Sequence, residues 1–179
     1  MILNALSSLD IFLIVLASIL GVELLLCLVG LLFVLAFKSI LKKHTKALRV
    51  VLYTKYDVIN KLIKLFSDDK INLDENLTNT FNKIKLEDFD KIDSSECLES
   101  RKALSYLRDE LLFIGNSNEL IKKDNRFIEG KNNILELDKV YRNSVAMYNA
   151  DVLGYNYWIM FLPYRFIYKL FKIKKKEII

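Results

Sequence analysis

Proline, histidine, cysteine and glycine are scarce here: one proline, one histidine, two cysteines and five glycines in 179 residues. Each scarcity excludes something. His44 is the lone histidine, so with two separated cysteines no His/Cys ligand set for zinc can be assembled. Cys27 lies inside a long apolar run and Cys97 outside it, so the two do not pair, and isolated thiols fit a reducing compartment. There is no Gly-rich phosphate loop, nucleophile motif, paired-carboxylate constellation or ligand cluster. Asp68-Asp69 and Glu87-Asp88 read as solvated loop ends rather than acid/base pairs. The chain is therefore expected not to be an enzyme, and neither a cofactor nor a small-molecule substrate is expected. The first ten residues also lack Lys and Arg, which argues against a cleaved signal peptide.

What is present is hydrophobicity, 53% of residues, unevenly distributed. Residues 11–37, IFLIVLASILGVELLLCLVGLLFVLAF, carry one charge, Glu23. At 1.5 Å per residue the run makes roughly 40 Å of helix against a hydrocarbon core of about 30 Å, so it spans a bilayer with tilt or with its ends among the headgroups. Basic residues follow immediately: Lys38, Lys42, Lys43, Lys46 and Arg49. Such clusters stay cytoplasmic, so the N-terminus is expected outside and the body inside. His44 joins this cluster as a headgroup-level residue. Glu23 has two readings. An intramembrane carboxylate is by default a functional candidate facing a partner helix, a water-filled cavity or a proton path. The simpler alternative is a neutral, protonated side chain, since no second polar residue accompanies it.

Beyond the apolar run, Leu41, Leu48, Leu52, Ile59, Leu62 and Phe66 form a stripe at helical spacing, with no glycine or proline between it and the anchor. One unbroken helix ending near SDDKIN is expected. Leu73, Leu77, Phe81 and Ile84 suggest a short second helix. Ser94 or Ser95, with Glu96 behind, can cap a third, which carries Leu104, Leu107, Leu111 and Ile114 and is expected to stop at Gly115 in a left-handed cap, leaving GNSN as connector. The fourth helix carries a seam of heptad period, Phe127, Ile134, Tyr141, Tyr148, Tyr155 and Leu162, a supercoiled-bundle signature. Asn149 and Asn156 stand one step off it, placed either for interhelical hydrogen bonds or for solvent. Pro163, the only proline, ends the run.

After Pro163 comes YRFIYKLFKIKKKEII, mixed aromatic and basic. An amphipathic helix in the headgroup layer of an anionic leaflet is expected there, with Arg165, Phe166, Lys169, Phe171 and Lys172 at the interface beside Trp158 and the juxtamembrane Lys42, Lys43 and Lys46. A solvated tail packing its aromatics back on the bundle is the competing reading. Nucleic acid is not an expected partner, because the excess charge, net +5, sits in these two membrane-assigned clusters.

The stretch NRFIEGKNNILELDKVYRNSVAMYNADVLGYNYWIMFLP resembles the LemA family of bacterial membrane-anchored helical proteins: Tyr148-Asn149, five residues, Tyr155-Asn156, five residues, then Leu162-Pro163 where the family usually has Phe-Pro. Phe127 also fits the family pattern, and KYDVINKLIKLF is similar to a second family segment, with Asn60-Lys61 in place of Pro-Asn. The family's arginines before the first Tyr-Asn are replaced by Val145, Ala146 and Met147, so a divergent member is implied. The resemblance implies a helical bundle on an N-terminal anchor, without enzymatic activity. The expected protein is thus all-α: a short extracytoplasmic N-terminus (1–10), a transmembrane helix (11–37), an antiparallel up-down bundle of three to four helices (38–162) and a basic aromatic segment (163–179). It is placed in a bacterial cell membrane as a single-pass protein with its bundle in the cytoplasm. The expected function is an interaction scaffold with a protein partner or a second copy. The alternative is a self-associating membrane-active component that conducts ions or remodels the bilayer.

Overall fold

The computed structural model describes residues 7–160, 169 and 172–179. Among them the fold is helical, without strands: α1 Ser8–Asp68, α2 Glu75–Lys83, a 3-10 turn Leu86–Asp90, α3 Ser95–Ser117, α4 Glu119–Lys123 and α5 Asn125–Met160. The described residues form two compact units, one from 7–41 with 151–160, 169 and 172–176 and one from 42–150 with 177–179.

Side chains start and stop the helices. Ser7 and Asp10 cap the start of α1 reciprocally: the Asp10 amide donates to Ser7 Oγ at 3.3 Å and the Ser7 amide to Asp10 Oδ2 at 3.0 Å. At the far end Lys70 sits at φ 56°, with the Ile71 amide donating to Phe66 O at 2.9 Å and the Lys70 amide to Ser67 O at 3.1 Å. That pair is a Schellman motif with lysine where glycine is usual. Ser94 caps α3 as expected, its Oγ accepting from the Cys97 amide at 3.1 Å.

The expected stop at Gly115 is corrected. α3 runs through it to Ser117, no glycine among the described residues has positive φ, and of GNSN only Asn118 lies outside a helix. Gly115 is small because the Phe127 ring lies against it: a Cβ there would overlap Phe127 Cε2 and Cζ. Asn118 then starts α4, its Oδ1 accepting from the Leu120 and Ile121 amides at 3.0 and 3.3 Å.

In the unit formed by 42–150 and 177–179, the core is Leu48, Leu52, Ile59, Leu62 and Phe66 of α1, Leu104, Leu107 and Leu111 of α3, and Phe127, Ile134 and Tyr148 of α5, each at most 2% exposed. Phe66 meets Phe127, ring centroids 6.1 Å apart. Phe81 of α2 stacks on Tyr56 at 4.7 Å, and Phe89 of the 3-10 turn, fully buried, meets Tyr53 edge-on at 5.6 Å. Ion pairs join Arg49 to Asp90 and Arg126 to Asp69 at 3.6 and 3.5 Å.

In the other unit, Val34, Leu41, Tyr155 and Ile159 are buried, and Trp158 stacks on Phe33 at 4.6 Å, 4° from parallel. Gly154 permits this approach, since a Cβ there would lie 2.9 Å from the Phe37 ring. The amphipathic helix expected after Pro163 does not continue to the end. Lys172 has φ 53°, which breaks helical geometry, and residues 173–179 are not helical. The stretches 161–168 and 170–171, which include Leu162, Arg165, Phe166 and Phe171, lie outside the described residues.

Candidate functional site

The seams of α1 and α5 each contain one charged residue at a core position. In α1 the apolar stripe skips from Leu52 to Ile59, and Lys55 fills the gap; in α5 Asp138 stands between Ile134 and Tyr141. Both are buried, Lys55 at 3% and Asp138 at 8% exposure. A buried ammonium or carboxylate costs several kcal/mol unless paired, and these two pair with each other, Lys55 Nζ donating to Asp138 Oδ1 at 2.5 Å. Asp138 Oδ2 accepts from Arg108 of α3, whose guanidinium also pairs with Asp109 at 2.8 Å. Burial alone would raise the Asp138 carboxyl, but the hydrogen bonds and charges of Lys55 and Arg108 outweigh it and hold the group below the usual carboxylate range. One carboxylate thus ties together a side chain from each of α1, α3 and α5.

Tyr141 extends the cluster. Lys55 Nζ lies 5.4 Å from its ring centroid, a cation–π distance, and Arg101 donates to its hydroxyl at 2.9 Å. Burial pushes the Tyr141 phenol up, so it stays protonated. Around these groups opens a cleft of about 590 Å³ whose lining holds five cationic side chains, Lys55, Arg101, Arg108, Lys139 and Arg142, against two anionic ones, Asp109 and Asp138. Its field favours anions. The one serine hydroxyl of the lining, Ser105, donates to the Arg101 carbonyl at 3.1 Å, and among the described residues no group of three or more His, Cys, Asp or Glu could hold a metal ion.

The sequence-derived residues fall into three sets. Of the seam, Phe127, Ile134, Tyr148 and Tyr155 are buried and Tyr141 is half-buried at the cleft. The Tyr148 hydroxyl donates to Asp93 at 3.1 Å; burial first, then that carboxylate, drives its pKa far up. Of the interface set, Lys42, Lys43, Lys46, Lys169 and Lys172 are exposed, whereas Trp158 is half-buried on Phe33. Glu23 is exposed on the apolar part of α1. Asn149 and Asn156 bond to the backbone of the C-terminal segment rather than to another helix.

Lys55 and Arg108 were not foreseen. For Lys55 and Asp138 the signal is the interruption of two apolar stripes by residues of opposite charge, informative only once α1 and α5 are known to be neighbours; Arg108, on α3, interrupts neither stripe.

Together these features define an all-helical protein with one long apolar N-terminal helix and a charged tie inside its helical body. By length and composition that helix is able to cross a membrane: its most apolar 18-residue window has mean hydropathy 2.8 and none of it is buried. No protein-family model matches the chain, and no curated protein or solved structure matches it significantly.

Proposed function

We propose that this chain is a membrane-anchored, noncatalytic scaffold whose helical body, an antiparallel up-down bundle, presents an interaction surface in the bacterial cytoplasm, as the LemA resemblance implies. The observation that carries it is the change of environment along one helix. From Leu9 to Val29, α1 exposes large apolar side chains on all sides, among them Phe12 at 63%, Leu24 at 65% and Leu25 at 62%, while Leu48, Leu52, Ile59 and Leu62 farther on are buried. So large an uncovered apolar surface is stable in hydrocarbon and unstable in water. The exposed Lys42, Lys43 and Lys46 follow directly and favour the anionic inner leaflet.

The bundle reading is supported by the residue pairs across the body. Lys55–Asp138, Leu62–Gly130 and Phe66–Phe127 rise in α1 as they fall in α5; Arg101–Tyr141, Arg108–Asp138 and Asn116–Lys131 do the same between α3 and α5. The test is in-cell crosslinking through residues introduced at exposed Lys102 and Leu120, followed by mass spectrometry. A scaffold yields a reproducible crosslinked partner, or a second copy of this chain. Recovery of the uncrosslinked chain alone at both positions would remove the reading.

The membrane-active alternative has one observation in its favour. Glu23 is exposed on the apolar part of α1, where lipid would surround it in a single copy. Self-association would shelter it. Ion flux in reconstituted vesicles, lost in Glu23→Leu, would select this reading.

A further inference from the structure

The cationic cleft of about 590 Å³ is lined entirely by residues of the unit formed by 42–150 and 177–179, so its walls belong to one compact body. Its volume is in the range of small-ligand sites, about 300 to 1,000 Å³. Both of its carboxylates are engaged: Asp138 by Lys55 and Arg108, Asp109 by Arg108. Of the five cations Arg101, Lys139 and Arg142 therefore remain, and among the described residues none of the three has an ion-pair partner.

Arg101 is incompletely used. One terminal nitrogen donates to the Tyr141 hydroxyl at 2.9 Å, while its Nε is buried with no acceptor among the described residues. A buried donor is rarely left so. Because Tyr141 accepts in that bond, its own O–H proton is left to donate. Lys139 and Arg142, both exposed, lie within one turn of Tyr141 on α5. Three positive charges and a neutral donor thus gather around Tyr141. The opposite end of the cleft is apolar. Arg101 meets Tyr141 and Arg108 meets Asp138, so Leu112 and Leu135, each farther along its helix in the same sense, share that end. Six residues of α5, about 9 Å of rise, separate Leu135 from Tyr141.

We propose that this cleft binds a small phosphate monoester, its phosphate held by Arg101, Lys139 and Arg142 with the Tyr141 hydroxyl, and its organic substituent lying along Leu112 and Leu135. A phosphate monoester carries about −1.5 to −2 charge at pH 7, which answers three unpaired cations better than a single carboxylate does. The planar guanidinium fork also matches phosphate oxygens in pairs. A ligand so placed joins α3 to α5 and acts as an effector of the helical body, not as a substrate. The inference goes beyond the scaffold reading and does not depend on it, since neither a protein partner nor a bilayer enters the test.

Isothermal titration calorimetry of the full chain, in a mild nonionic detergent at low salt with hexyl phosphate as probe, tests it. One equivalent should bind. Arg101→Gln and Arg142→Gln should each weaken binding about tenfold or more, the effect of one hydrogen bond to a charged group. Lys102→Gln, which removes the same charge from an exposed position outside the cleft, should leave affinity unchanged. Arg142 is exposed, so its replacement keeps the test decisive should Arg101→Gln unfold. Hexanoate, with a single charge, and inorganic phosphate, with no substituent, should both bind more weakly than hexyl phosphate. Dihexanoyl phosphatidic acid is a monoester too: tighter binding than hexyl phosphate assigns the ligand to a lipid headgroup and weaker binding to a soluble compound, and the site stands in both cases. No binding to the wild-type chain, affinity unchanged in Arg142→Gln, or an equal loss in Lys102→Gln would overturn the site. Hexanoate binding as tightly as hexyl phosphate would overturn the phosphate, and inorganic phosphate doing so would overturn the apolar end.

Discussion

Asp138 is the carboxylate on which Lys55 and Arg108 converge, and removing it should cost more than removing either cation. In Asp138→Leu, Lys55 is left with its side chain 4% exposed and no anion, whereas Arg108 keeps Asp109. Breaking a buried pair from one side typically costs about 3 to 5 kcal/mol, and that is the expected loss. In Lys55→Met, Asp138 keeps Arg108, so the loss should be smaller, about 1.5 to 3 kcal/mol, the range for a hydrogen bond to a charged group. The double variant Lys55→Met/Asp138→Leu removes both buried charges and should be more stable than Asp138→Leu alone. Urea unfolding of the full chain in a mild nonionic detergent, followed by helical circular dichroism, measures all four corners of the cycle. The folded Asp138 carboxyl lies below its unfolded value, so its contribution is fully present above about pH 4, the unfolded range, and is lost as pH falls through the folded value. The gap between wild type and Asp138→Leu should therefore narrow in acid. Equal and additive losses for the two single variants, with a gap indifferent to pH, would refute the pairing.

Tyr148→Ala should cost about 3 to 5 kcal/mol, as for a large buried aromatic, against under about 0.5 kcal/mol for exposed Met147→Ala, in the same unfolding assay. Gly115→Ala should destabilise by roughly 1 to 3 kcal/mol through overlap with the Phe127 ring, the opposite of alanine's ordinary advantage within a helix. Lys70→Gly should be neutral or stabilising by up to about 1 kcal/mol, because the left-handed position disfavours a side chain; a clear loss of stability would contradict the φ of 56°.

The readable features were those whose causes are local. An apolar run of 27 residues, a serine beside the first helical turn and a heptad of aromatics each act within a few turns of chain, and α1, the Ser94 cap and most of the α5 seam follow from them. Gly115 was misread because a glycine near a helix end has two physical uses, a left-handed cap or a close approach. Which one applies depends on Phe127, twelve residues away. Phe89 was passed over because its acidic neighbours mark a turn, and only Tyr53 opposite shows that the turn is pinned by a buried ring. The charged tie was illegible for the same reason, since Lys55 and Asp138 are 83 residues apart. The asparagines were seen, but their partner is backbone without helix, which carries no periodic signal.

The central claim is the anchor and its direction, and labelling of intact bacterial cells with a membrane-impermeant maleimide tests it most directly. Cysteine is introduced by Ser7→Cys before the apolar segment or by Lys102→Cys on the exposed face of α3, with Cys97 kept because it is fully buried and its thiol is pushed up, above all by burial. The account predicts labelling of Ser7→Cys in intact cells and of Lys102→Cys only after permeabilisation, with the protein remaining in the membrane pellet through alkaline carbonate. Release by carbonate, or labelling of Lys102→Cys but not Ser7→Cys in intact cells, would contradict it.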